Sequence, residues 1–257
     1  MSRKLAWSAA ILLFTAGCDD GTSPGDTSQL RVAFAAVDTT GTPSNGNQLV
    51  VTGSNGTLTI TDVRMIVSEF ELKGPRACVE EDDEGEIELE HCEFESAPFL
   101  LDLDLDGDPI VVATTDVPTG AYTQVEFEVE DLKRDHDDDD RTADAISALR
   151  AELRSAFPNF PDDASVVVVG SFTPTGGTAR PFTVFLDADI DFELPLLPPL
   201  IINDAGANRT VTVELTPKRW FLRGGRVIDL SAFNNRLLEF GEDFRLGVHR
   251  ARCDDGN

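Results

Sequence analysis

The sequence predicts an all-β fold, an antiparallel β-sandwich with one short amphipathic helix. Three observations carry the prediction. Apolar residues alternate with polar ones at period two through most of the chain, the mark of half-buried strands. Turn chemistry separates these runs, at Gly53-Ser54-Asn55-Gly56, Asp106-Gly107-Asp108-Pro109, Pro118-Thr119-Gly120 and Thr175-Gly176-Gly177, and many short strands so spaced favour a sandwich or barrel. Only one segment keeps helical spacing: Ile146, Leu149, Leu153 and Phe157 fall on one face, and Pro158 stops the run.

In order along the chain, Arg3-Lys4 and the apolar stretch Leu5 to Ala16 have the charge and length of a signal peptide and are too short to span a bilayer. Phe14-Thr15-Ala16-Gly17-Cys18-Asp19 closes that stretch with a small-small-cysteine step. It resembles the lipobox of bacterial lipoproteins, with Thr15 where leucine is usual. The resemblance implies that residues 1–17 are removed and that Cys18 bears lipid. Residues 18–28 are small, polar and Gly/Pro-containing and read as a flexible tether. The literal G-x-S-x-G match at Gly21 to Gly25 lies on this tether, without the strand and helix a nucleophile elbow needs.

Residues 29–250 read as one β-sandwich domain. Leu30, Val32 and Phe34 open it, and Leu58 and Ile60 follow. Further runs are Arg64 to Lys73, Phe94 to Asp104, Tyr122 to Glu130, Ser165 to Phe172, Pro181 to Phe192, Arg209 to Leu215 and Phe240 to Val248. Val125, Phe127 and Val129 against Glu126, Glu128 and Glu130 mark one dry and one acidic wet face. The helix, from about Ala143 to Phe157, is expected to cover an end or open edge of a sheet. Residues 251–257 read as a polar tail.

Composition narrows the function classes. The chain of 257 residues carries a net charge of −26. Residues 1–17 hold two basic residues and no acid, so their removal leaves −28. Such a field disfavours nucleic acid and electrostatic docking on anionic lipid. Phe occurs 16 times and Tyr once, which suits a core better than a sugar-binding surface.

With Cys18 assigned to lipid, Cys78 and Cys92 remain as a disulfide candidate. They would close a loop of about 15 residues worth ~3 kcal/mol, which export permits. Free thiols or a bond to Cys253 are the alternatives. The histidines His91, His136 and His249 pair with no nucleophile in the pattern.

Calcium is the candidate cofactor. Asp102, Asp104, Asp106 and Gly107 match the first half of an EF-hand loop, followed by Asp108, but position twelve is Ala113 rather than glutamate. Leu101, Leu103 and Leu105 alternate with the acids, so a strand running into an Asp-Gly turn is the simpler account. Asp135, Asp137 and Asp139 lie in a second acidic run and Glu80 to Glu90 in a third, both read as solvated loops.

Val117 to Val125 resembles the P-x-G-x-Y strand start of prealbumin-like β-sandwich domains. Residues 60–235, through Glu71-Leu72-Lys73, the acidic insert between Cys78 and Cys92, Pro181 to Val184, Pro198-Pro199-Leu200 and Val211 to Glu214 with Trp220-Phe221, resemble a group of uncharacterised bacterial lipoproteins. The resemblance implies a sandwich of unknown function and transfers no site residue. Trp220-Phe221 reads as packing before recognition. The expectation is a lipid-anchored protein on the periplasmic or outer face of a bacterial membrane. It is expected to act as a non-enzymatic binding or structural module with an unidentified envelope or extracellular partner. The alternatives are a calcium-stabilised adhesion module and a secreted hydrolase using carboxylates.

Overall fold

A computed structural model describes residues 27–38, 46–81, 87–118, 120–131, 140–202, 209–240 and 245–255. Alternation becomes strand as expected. β1 (Thr27–Ala36) leads to the hairpin of β2 (Leu49–Gly53) and β3 (Gly56–Val67). The long hairpin of β4 (Glu69–Glu81) and β5 (Ile87–Glu95) is followed by β6 (Phe99–Asp102), β7 (Ile110–Pro118) and β8 (Gly120–Val129). Helix α1 (Asp140–Ala156) interrupts, then β9 (Val166–Pro174), β10 (Arg180–Asp187), β11 (Ile190–Ile202) and β12 (Arg209–Leu215). A short 3-10 helix, Pro217–Phe221, precedes β13 (Leu222–Arg223), β14 (Arg226–Val227), β15 (Leu237–Glu239) and β16 (Val248–Asp255).

Two sheets result. The larger has the order β5-β4-β8-β11-β16-β12-β1-β7, and the smaller β15-β10-β9-β3-β2, with β6 also on β3. Their inner faces share one core. Phe34 meets Phe127 edge to face at 5.5 Å, Phe127 stacks on Phe192 at 4.6 Å, and Leu58, Ile60, Met65, Val166 and Val184 close it from the smaller sheet. Burial of this continuous apolar layer is the main force joining the sheets. Most pairings are antiparallel, as expected. β1 with β12, β10 with β15 and β11 with β16 are parallel, a property of long connections to which local alternation is blind.

Several details differ from expectation. Thr27 and Ser28, read as tether, already belong to β1. Glu80, Glu81, Glu88 and Glu90, read as a solvated loop, lie in β4 and β5 because the apolar Val79, Ile87 and Leu89 alternate with them. Among the described residues the run Phe240 to Val248 is no strand: β15 ends before it and β16 begins at its last residue. Residues 251–255 are no tail: they belong to β16, which lies between β11 and β12 with Ala251 buried. Their charged side chains hide the strand, since Arg250 and Arg252 pair with Glu214 at 2.9 Å each. Helix α1 covers a face rather than an edge. Val167 on β9, Phe185 on β10 and Ile66 on β3 point away from the main core and form a second one with Leu153, Phe160 and Ala164. The run Val166 to Val169 is apolar at every position because both faces of that strand are covered.

Candidate functional site

Of the aspartates singled out in the sequence, Asp102, Asp104 and Asp106 line a groove of about 660 Å³ where β3, β6 and β7 meet, together with Asp62. A register shift in β3 between Ile60 and Asp62 redirects the strand, and β6 runs into the turn that carries Asp104 and Asp106. Arg64 stands at the centre. Its Nε and Nη2 each reach a different Asp62 carboxylate oxygen at 3.2 Å, a bidentate pairing of matched geometry. Nε also lies 3.5 Å from Asp102. The guanidinium sits 5.4 Å from the ring centre of Phe157, which ties the end of α1 to the groove. Burial works against the Arg64 charge, but the hydrogen bond and charge of Asp62 overcome it and hold its pKa above the ordinary value. Asp102 is raised from its usual range by desolvation, with Arg64 opposing.

The remaining acids of this segment are engaged locally. The Asp106 N–H donates to Asp104 Oδ1 at 2.8 Å, an Asx turn. The Asn47 amide, with its nitrogen toward Asp106, lies 3.1 and 3.3 Å from the Asp106 carboxylate oxygens. Asp108 is exposed. Among the described residues no three Asp, Glu, His or Cys side chains converge as a metal's donor set. The groove therefore holds a guanidinium clamped by carboxylates. Asp135, Asp137 and Asp139 lie outside the described residues, as does Cys18.

No protein family matches this chain, and no curated protein matches it in sequence. Among solved structures, MbnP from Methylosinus trichosporium aligns at a TM-score of 0.37 and 16% identity, over 73% of this chain and 76% of that one. Similarity that loose assigns neither a ligand nor a reaction.

The cysteine candidates fall on one hairpin. Cys78 on β4 pairs with Glu90 on β5, and Cys92 stands two residues further along β5; their side chains are outside the described set. Cys253 is half-buried in β16 and packs against the main core. Trp220 and Phe221 are fully buried, so this aromatic pair is packing. Gly247 lies so close that a Cβ there would sit 1.7 Å from the Trp220 indole nitrogen. Glycine thus lets the segment before β16 close on the 3-10 helix.

Sequence reasoning missed one surface. Val50, Val51 and Thr52 of β2 face Lys218, Arg219, Leu222 and Leu246 across a groove of about 350 Å³. β2 escaped notice because Leu49-Val50-Val51 is a continuous apolar run with no alternation. A signal was present in charge: residues 217–252 hold eight lysines and arginines against four acids.

Proposed function

We propose that the chain is a lipid-anchored protein of the bacterial envelope whose β-sandwich serves as a non-enzymatic binding or structural module. The observation that carries this reading is the short interval between the lipobox cysteine and the packed domain. Thr27, nine residues after Cys18, already pairs with Pro118, and Leu30 is fully buried. An anchor so close to a strand inside the larger sheet holds the domain near the membrane, since nine residues reach at most ~30 Å. The engagement of Asp62, Asp102, Asp104 and Asp106 with Arg64, a turn amide and Asn47 supports a structural use of the acids over a catalytic one. Two or more acyl chains give stable membrane attachment where one is marginal. Cys18→Ser is expected to move the protein from the membrane to the soluble fraction, and the wild-type N-terminal peptide to carry a lipid mass. Unchanged partition of the variant, together with an unmodified wild-type peptide, overturns the reading.

A further inference from the structure

The groove beside β2 departs in charge from the rest of the molecule. Residues 217–252 carry eight of the chain's 21 basic residues and only four of its 47 acids. Lys218 and Arg219 rim the groove, and neither joins an ion pair among the described residues. In a chain with more than two acids per base, cations left unpaired beside an apolar wall make a local positive field, strengthened by the low dielectric behind it. That wall is exposed: Val50, Leu222 and Leu246 are 47%, 41% and 58% accessible, three of the six large apolar side chains that stand exposed among the described residues.

The groove is also bounded by an open strand edge. Among the described residues β2 pairs with β3 alone. The two-residue turn Ser54-Asn55 makes Gly53–Gly56, Val51–Leu58 and Leu49–Ile60 the hydrogen-bonded pairs of that ladder. Val50 and Thr52 therefore direct their amide and carbonyl groups outward, where no backbone partner meets them among the described residues. The β13–β14 hairpin covers the turn and the Gly53 end of β2, leaving Val50 and Thr52 clear. The Ser54 N–H donates to the Gly225 carbonyl at 2.9 Å, the Asn55 side-chain amide donates to the Val227 carbonyl and accepts from the Val227 N–H at 2.8 Å each, and Val227 and Gly225 close on Gly53. An unpaired edge is a template for another extended chain.

We propose that this groove binds an extended acidic segment of a partner protein. The segment adds a strand to β2, seats an apolar side chain among Val50, Leu222 and Leu246, and sets carboxylates on Lys218 and Arg219. A lipid headgroup supplies charge but no backbone to read the strand edge. The position fits a partner in solution: β1 runs parallel to β12, and the 3-10 helix follows β12. The groove thus lies at the pole opposite Thr27, about 30 Å from it along the strand. Its chemistry is independent of whether Cys18 carries lipid.

The test uses the full chain carrying Cys18→Ser and a fluorescein-labelled octapeptide of alternating Glu and Val, followed by anisotropy at low salt. Saturable binding is expected. It should weaken roughly tenfold or more when Lys218→Glu and Arg219→Glu are combined, and equally when alternate peptide amides are N-methylated, which removes strand pairing but no charge. Leu246→Ser, at an exposed position, should weaken binding without lowering the melting temperature. The proposal falls if no saturable binding occurs, if a Lys-Val peptide binds as well, or if charge reversal changes nothing. It falls too if the same substitutions abolish sedimentation with phosphatidylglycerol vesicles while the peptide stays unbound, which makes the surface a lipid site. Concentration-dependent self-association dissolved by the charge reversal makes the occupant a second copy and likewise overturns it.

Discussion

Tyr122, the chain's single tyrosine, enters β8 two residues after Gly120 and is fully buried. Burial pushes its phenol up to about 12, because the phenolate cannot be solvated where the ring lies. An unfolded chain ionises the same group near ~10. The proton is thus lost first from the unfolded state as pH rises. Tyr122 contributes its full stabilisation below ~10 and loses it between ~10 and ~12, a change of about 2 to 3 kcal/mol. Tyr122→Phe is expected to lack this part of the alkaline decline when denaturant midpoints are compared across that window. Tyrosinate absorbance near ~10 in the folded protein, the unperturbed value, contradicts the assignment. The entry of Tyr122 into a strand was legible because the P-x-G-x-Y pattern that carries it is local, spanning Pro118 to Tyr122 in sequence. The partners of Asp102 and Asp106 were not. Arg64 and Asn47 lie tens of residues away, and only the crossing of β3, β6 and the segment before β2 brings them together.

Among the elements, the β4–β5 hairpin carries an outer edge rich in acid. Glu80, Glu81, Glu88 and Glu90 occur within it, with Glu80 in register with Glu88. A bond between Cys78 and Cys92 would restrict the unfolded hairpin, worth ~3 kcal/mol for a loop of this size. Non-reducing peptide mapping is expected to recover the two cysteines in one linked pair, and Cys78→Ser to lower stability by about that amount. Recovery of both as alkylated thiols rejects the bond. Elements with a clean period were readable from sequence: β1, β8 and β12 fall where alternation places them, and α1 where the three/four spacing does. β2, β7 and β14 were not, since continuous apolar runs and two-residue strands carry no period to read. β16 was hidden by Arg250 and Arg252, whose charge is acceptable in a central strand because both side chains reach solvent at 55% and 39% exposure and share the carboxylate of Glu214.

For the molecule as a whole, charge is the dominant unbalanced force. Across the outer face of the larger sheet, Glu71, Glu126 and Glu193 align in register, as do Glu69, Glu128 and Asp191. Lys73 lies 2.7 Å from Glu71 and 2.5 Å from Glu126. Hydrogen bonds to Glu126 and then Glu71 hold its pKa above the usual lysine range. Salt is therefore expected to stabilise the fold gradually by screening. With Asp102, Asp104 and Asp106 already engaged, millimolar calcium and sodium chloride of matched ionic strength are expected to raise the melting temperature equally. A saturable excess for calcium, lost on neutralising Asp135, Asp137 and Asp139 or Asp104 and Asp106, demonstrates a specific site.

Taken alone, the sequence determines the fold class, the place of the helix, the strand that begins at Tyr122 and the acidic character of the wet faces. These follow from periodicity, turn chemistry and composition, which act over a few residues. Tertiary structure alone decides strand order, the parallel neighbours of β1 and β11, the pairing of Arg64 with Asp102, and the meeting of β2 with the 3-10 helix that forms the basic groove. Each joins segments far apart in the chain, selected by which faces can be buried together, and no local pattern encodes that choice.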